Sequence, residues 1–78
     1  MSYSVELIEE LNILARYNLN TTQEGLKIHQ HSAPEELQTA VVRLFNKGLV
    51  TQDDGGYLTA LGREAAEHAQ RVLAILKN

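Results

Sequence analysis

The 78-residue chain contains no cysteine, and this absence excludes both disulfide bonds and metal sites built from thiolates. It also lacks any apolar run that approaches the roughly 18 residues needed for a membrane-spanning helix. Its first residues show neither a basic segment nor an apolar stretch, so we expect no signal peptide. Together these absences predict one cytoplasmic domain over residues 1–78, with no membrane partner and a small apolar core.

Positive charge is scarce, because seven lysine and arginine residues stand against ten acidic residues and give a net charge of -3. A negative balance opposes unspecific attraction to nucleic acid. The charge is unevenly distributed, however. Residues 1–26 hold four glutamates against Arg16 alone, whereas residues 27–51 hold three cations against Glu35 and Glu36. A basic surface in the middle of the chain is therefore compatible with an acidic remainder.

Apolar residues recur with helical periodicity in four segments, and these predict helices over residues 5–18, 22–29, 33–47 and 60–77. The second and third begin at capping boxes, in which a threonine or serine is followed three residues later by a glutamate. Gly48 supplies the stop signal of the third helix. Thr59 is predicted to cap the fourth helix, so three of the four predicted helices have local start or stop signals.

A β-hairpin is predicted between the third and fourth helices. Two short apolar segments, residues 49–52 and 57–59, flank a turn that contains an Asp-Gly pair. Asp-Gly between two strand-like segments is a strong hairpin signal. The predicted fold class is therefore mainly α with a small β-hairpin.

This order of elements resembles a winged helix-turn-helix domain. The segment Leu44–Val50 (Leu-Phe-Asn-Lys-Gly-Leu-Val) is similar to the end of a recognition helix that enters the wing. The segment Leu58–Arg63 (Leu-Thr-Ala-Leu-Gly-Arg) resembles the exit from the wing in MarR-like and PadR-like regulators. The resemblance implies four helices plus a wing, with the helix-turn-helix over about 21–47, the wing over about 49–59 and the C-terminal helix over about 60–77. The whole chain also resembles a small bacterial family of proteins of this length to which DNA binding has been ascribed.

A winged helix-turn-helix places its recognition helix in the major groove of DNA. The resemblance therefore implies a small transcriptional regulator that reads bases with the helix over residues 33–47. Amide and hydroxyl side chains can contact base edges, and cations can pair with phosphates. The predicted DNA-binding residues are Lys27, Gln38, Thr39, Arg43, Asn46 and Lys47.

An alternative is a winged-helix module for protein–protein interaction that binds no nucleic acid. The net negative charge and the acidic wing tip, Asp53-Asp54, favour this alternative, whereas the polar and basic side chains of the third helix favour DNA. No motif indicates an enzyme, a cofactor or a metal site. The serines look like terminal or capping residues, and consecutive glutamates diverge by about 100° around a helix, so they form no two-carboxylate site.

The last helix carries an apolar face that spans roughly half of its circumference, whereas one small domain covers a stripe of little more than about 100°. Leu73 and Ala66 lie at the edge of that face, furthest from the predicted core line through Leu61, Ala65 and Val72. We therefore expect a homodimer that forms through the C-terminal helix, with help from the first helix. The alternative is a monomer that exposes a few apolar residues, which is common. The predicted buried core contains Leu11, Leu14, Leu37, Val41, Leu44, Leu58, Leu61 and Val72.

Overall fold

Three helices and three strands make up the computed structural model, which describes residues 3–78. In chain order the elements are α1 (Val5–Leu14), β1 (Leu26–Lys27), α2 (Glu35–Asn46), β2 (Val50–Gln52), β3 (Gly55–Leu58) and α3 (Ala60–Lys77). The predicted fold class, mainly α with a small β element, is confirmed at this coarse level. None of the three helices in the described residues is both long and apolar enough to cross a membrane.

The first helix is shorter than the predicted segment 5–18. Its start is capped by the hydroxyl of Ser4, which accepts a backbone N–H of the first turn at 3.2 Å. Its end is fixed from a distance, because the Gln70 side-chain amide donates hydrogen bonds to the carbonyls of Leu14 and Tyr17. These bonds satisfy acceptors that a helix end leaves open, so the chain can turn away after Leu14.

The predicted second helix over residues 22–29 does not form, and the prediction of four helices is wrong for the described residues. The Thr21 hydroxyl accepts the backbone N–H of Gln23 at 3.1 Å, which closes a local turn where a capping box was predicted. Gly25 disfavours a helix by about 1 kcal/mol relative to alanine. The segment instead supplies β1, so a strand replaces the helix.

Only a short turn separates β1 from α2. The backbone N–H of Ala33 donates to the carbonyl of His29 at 2.8 Å, which closes one helical turn. Pro34 is the N-cap residue of α2, and no side chain caps this end of the helix. The cap predicted at Ser32 is therefore wrong, although α2 lies within the predicted segment 33–47.

The sheet is antiparallel with the order β1-β3-β2, so β3 is the central strand. The predicted hairpin is confirmed as β2 and β3, whereas β1 was not predicted. Lys27 pairs with Gly55, and the N–H of Ile28 donates to the carbonyl of Asp54 at 2.8 Å. Gly55 and Gly56 have φ of 123° and 72°, a region that favours glycine, and this freedom lets the hairpin turn while β3 pairs on both sides.

The core lies between α1, α2, the sheet and the first half of α3. Leu14, Val41 and Leu44 are buried as predicted, and Leu37 and Leu58 pack partly buried against them. The buried apolar residues are Ile13, Leu14, Tyr17, Ile28, Ala40, Val41, Leu44, Val50 and Ala66.

The predicted side on which α3 meets the core is wrong. Thr59 caps α3 as expected, because its hydroxyl accepts the N–H of Gly62 at 3.0 Å. Gly62 packs so closely on the backbone of Leu49 that a side chain would collide with it, and Ala66 is fully buried one turn later. The helix α3 therefore packs on the rest of the domain through its smallest residues, which allow its backbone to approach the backbone of Leu49 closely.

This docking leaves three residues of the predicted core exposed: Leu11, Leu61 and Val72. Conversely, Ala66 was predicted at the dimer edge but is 0% exposed within one chain. A helical wheel ranks positions by the size and hydrophobicity of their side chains. The wheel of α3 therefore assigns the large residues to the core, although the neighbouring small residues make the contact with it.

Candidate functional site

Two of the predicted DNA-binding residues on α2, Gln38 and Thr39, form hydrogen bonds with backbone carbonyls at the start of this helix. The Gln38 side-chain amide donates to the carbonyl of Ala33 at 2.6 Å. The Thr39 hydroxyl lies 3.2 Å from two carbonyls of the preceding turn, a common local bond for threonine in a helix. Asn46 is exposed at the other end of α2. Outside this helix, the Lys27 ammonium lies 3.9 Å from a carboxylate oxygen of Asp54.

Arg43 and Lys47 point toward α1, where both bind one carboxylate. The Arg43 Nε atom lies 2.7 Å from Oε2 of Glu10, and the Lys47 Nζ atom lies 2.5 Å from Oε1. The two cations are four residues apart, so they lie on one face of α2. Glu10, although charged, is only 5% exposed. These three residues are called the Glu10 cluster below.

More negative groups surround the Glu10 cluster. A carboxylate oxygen of Glu9 lies 3.5 Å from Arg43, and the Arg43 guanidinium also donates to the backbone carbonyl of Glu6 at 3.1 Å. The positive charges predicted to contact phosphates are therefore balanced within the chain. An approaching phosphate would meet the carboxylates of α1 together with the cations.

The electrostatics of the Glu10 cluster keep it ionised. Burial raises the pKa of Glu10, but hydrogen bonds from Arg43 and Lys47 and their positive charges outweigh burial and leave this pKa below its ordinary value. The hydrogen bond to Glu10 raises the pKa of Arg43. Charge-assisted bonds of this kind join α1 to α2, and their evident role is structural.

Tyr17 is a second buried polar group, and sequence reasoning did not select it. Burial, with a smaller contribution from the negative charge of Asp54, raises the pKa of Tyr17 to about 12. Its hydroxyl donates to the carbonyl of Gly56 at 3.3 Å. The phenol therefore stays protonated and ties the chain after α1 to the central strand.

Two concave surfaces of more than about 300 Å³ are candidate binding sites. One, of about 360 Å³, lies beside α2 and the hairpin turn, where Gln38, Thr39 and Arg43 meet Asp53 and Asp54. The structure thus brings three predicted DNA-binding residues together, but next to two carboxylates. Within residues 3–78, no three histidine, aspartate or glutamate side chains gather as a metal site.

The other surface is a groove of about 660 Å³ between α1 and α3, called the α1–α3 groove. Most of its lining is apolar: Ile8 and Leu11 come from α1, and Ala65, Ala69, Val72 and Leu73 come from α3. Asn12 and His68 contribute polar atoms. The groove exists because α3 is much longer than α1 and extends beyond Gln70, whose side chain hydrogen-bonds to the end of α1.

The second half of α3 leaves large aliphatic side chains uncovered. All residues from 71 to 78 are exposed. Val72, Ile75 and Leu76 retain 53%, 57% and 75% of their accessible surface. Burying a side chain of this size is worth about 1.5–3 kcal/mol, so this surface is a strong candidate for contact with another molecule.

A protein-family model matches residues 1–77, which is nearly the whole chain. The chain belongs to DUF5669, a family of unknown function. No match was found among curated proteins or among solved structures. Function in this DUF5669 protein therefore has to be inferred from its surfaces.

The two candidate surfaces of the DUF5669 chain differ in what they offer to a partner. The α2 surface combines the apolar side chains of Ile28, Val41 and Val42 with polar and charged ones. Its cation, Arg43, is bound to Glu10. The α1–α3 groove is apolar, larger and continuous with the exposed end of α3. The sequence contains a signal for this groove in the small residues Gly62, Ala66 and Ala69. They mark the side of α3 that packs on the rest of the domain, and the large aliphatic residues beside them therefore stay exposed.

Proposed function

We propose that this DUF5669 chain is a protein–protein interaction module with a winged-helix-like arrangement, and that the α1–α3 groove is its contact surface. The observation that carries the proposal is the uncovered aliphatic surface of α1 and α3. A large contiguous apolar patch on the surface of a small protein commonly marks an interaction site, whereas single scattered apolar residues do not. The sequence of α2, hairpin and α3 supports the winged-helix likeness, while β1 departs from it.

The composition of the groove also suits a protein partner. Interfaces between proteins have an apolar centre with few charged residues and a polar rim. Ile8, Leu11 and Val72 supply such a centre, and the exposed side chains of Glu64 and Arg71 lie on the neighbouring surface of α3. Among residues 3–78, no lysine, arginine, aspartate or glutamate lines the groove.

The charges favour a protein partner over DNA. Strong DNA binding uses about 6–10 phosphate contacts made by cations. Two of the three predicted phosphate contacts, Arg43 and Lys47, are already bound to Glu10, and Lys27 lies near Asp54. Other exposed cations, Arg16, Arg71 and Lys77, lie outside α2, and the net charge of -3 opposes attraction to a duplex.

Photo-crosslinking from the groove tests this function. A benzophenone amino acid at Val72 is expected to give a covalent protein adduct in cells that express the full chain. The matched control carries the same probe at Val42, an exposed valine on α2 outside the groove. Adducts that form equally from both positions, or from neither, would show that the groove is not a specific contact surface.

A second candidate function, DNA binding by α2, is favoured by the exposure of Thr39 and Asn46 on a helix that is followed by a hairpin. Its signature would be saturable, salt-dependent binding of a labelled duplex that Lys27→Ala weakens. Lys77→Ala removes the same charge at the end of α3 and serves as the control. We expect no saturable binding of the duplex. If the duplex binds, and Lys27→Ala weakens this binding while Lys77→Ala does not, the proposal of a protein–protein interaction module is overturned in favour of DNA binding.

A further inference from the structure

We infer that the partner in the α1–α3 groove is a second copy of this chain, whose α3 packs antiparallel to the first with the two-fold axis near His68. This inference rests on the proposed function of the groove. In such an arrangement α1 and α3 of one copy meet α1 and α3 of the other. Each copy offers the same surface to its partner, as a two-fold interface requires.

The first argument is the amount of exposed surface. A compact chain of 8.7 kDa is expected to expose about 4,700 Å². This chain exposes 5335 Å², so the excess is about 600 Å². A standard stable interface buries about 800 Å² on each partner. The excess is therefore about three quarters of the area that each copy buries in a standard interface, and the uncovered residues 71–78 of the chain are part of the exposed surface.

The second argument is the spacing of residues along α3. Two adjacent stripes run along α3, and in each stripe successive residues are separated by alternating intervals of four and three. This is the spacing found where two helices pack on each other. The inner stripe starts with Gly62 and Ala66, which are buried against the body of the same chain. The outer stripe consists of Leu61, Ala65, His68, Val72 and Ile75. Ala65 is partly buried against the core, and the other four residues are exposed.

The outer stripe is complementary to itself when two copies run antiparallel about His68. In that alignment Ala65 lies opposite Val72 of the second copy, so a small residue faces a larger one. Leu61 lies opposite Ile75 of the second copy at each end of the contact. The exposed apolar residues of the outer stripe, Leu61, Val72 and Ile75, are thereby covered in both copies.

The third argument is charge, and it selects the antiparallel direction. Glu64 and Arg71 are exposed, and both lie on the same flank of the outer stripe, one heptad apart. When two such helices pack antiparallel, the same flank of the stripe on each copy faces its counterpart, whereas in a parallel pair opposite flanks meet. In the antiparallel pair Glu64 therefore lies beside Arg71 of the second copy, and this contact occurs twice per dimer. Charged residues that flank the apolar seam set the orientation of paired helices in this way.

Sedimentation equilibrium tests the assembly. The wild-type chain is expected to have twice the mass of 8.7 kDa at micromolar concentration. Val72→Asp should return it to a single-chain mass, whereas the control Val42→Asp, the same change at an exposed valine of α2, should leave it dimeric. Circular dichroism of each variant verifies that the helices are retained.

Charge reversal tests the antiparallel alignment. Glu64→Arg and Arg71→Glu should each weaken the dimer by about tenfold, because each creates two repulsive contacts per dimer. The double variant Glu64→Arg/Arg71→Glu should recover the wild-type dissociation constant. Glu36→Arg, an equal change on the exposed surface of α2, should have no effect.

The outcomes separate this inference from the proposed function. A single-chain mass at all concentrations, or a dimer that Val72→Asp leaves intact, overturns the second copy as partner in the groove. If Val72 still crosslinks to a different protein, the groove remains a contact surface. If neither dimer nor adduct forms, both proposals fail. A dimer that Val72→Asp abolishes but the double reversal does not restore would overturn the antiparallel alignment.

Discussion

Truncation of Leu44 to alanine is expected to lower the free energy of unfolding by about 2–5 kcal/mol. Leu44 is completely buried in one cluster with Ile13 and Val41, so α1 and α2 both lose packing around it. A domain of this size has a total stability of only about 5–15 kcal/mol. The variant should therefore be partly unfolded under mild conditions.

Urea unfolding followed by circular dichroism measures this loss, with wild type and variant at equal concentration. Leu7→Ala is the matched control, because Leu7 is an exposed leucine of α1. The same deletion there should cost much less. Equal losses at the two positions would contradict the assignment of Leu44 to the centre of the core.

The elements with local signals were the ones that could be predicted from the sequence. Gly48 has φ of 80° and follows α2, as a helix stop should. Thr59 caps α3 through its own hydroxyl. The predicted turn lies between β2 and β3 at Asp53 and Asp54, and the following Gly55 is the first residue of β3. Each of these signals acts within a few residues, so the sequence alone contains the relevant interaction.

The elements that were missed depend on partners distant in the chain. The strand β1 forms because Lys27 and its neighbours pair with β3, and local helix propensity contains no trace of that pairing. The orientation of α3 is set by contact between Gly62 and Leu49. Periodicity shows that a helix has an apolar face, but not which part of a wide face meets the core.

The candidate site could be predicted only in part for the same reason. The sequence identified Arg43 and Lys47 as cations on one helix, and they are indeed close together. Their partner, Glu10, lies 33 residues or more earlier in the chain. A wheel drawn for α2 alone could not show that the facing helix presents a carboxylate, so the two side chains were assigned to DNA.

Replacement of Glu10 by glutamine is expected to lower the free energy of unfolding by about 1–3 kcal/mol near neutral pH. Glutamine has nearly the same shape but cannot balance two cations in the Glu10 cluster. The side chains of Arg43 and Lys47 are 30% and 47% exposed, so water compensates part of the lost attraction and the lower half of the range is expected. Glu9→Gln, the same change in a more exposed neighbour, should have a smaller effect.

The dependence on pH distinguishes lost charge from altered packing. The folded-state pKa of Glu10 lies below its ordinary value of 4.5, so the stability contributed by this carboxylate is fully present above that value. It is lost as the pH falls through the folded-state pKa, where wild-type Glu10 becomes as neutral as glutamine. Unfolding measured from neutral to strongly acidic pH should therefore show a constant difference between wild type and Glu10→Gln that narrows below about pH 4.5 and then closes. A difference that stayed constant throughout would mean that the carboxylate stabilises the chain by its shape and not by its charge.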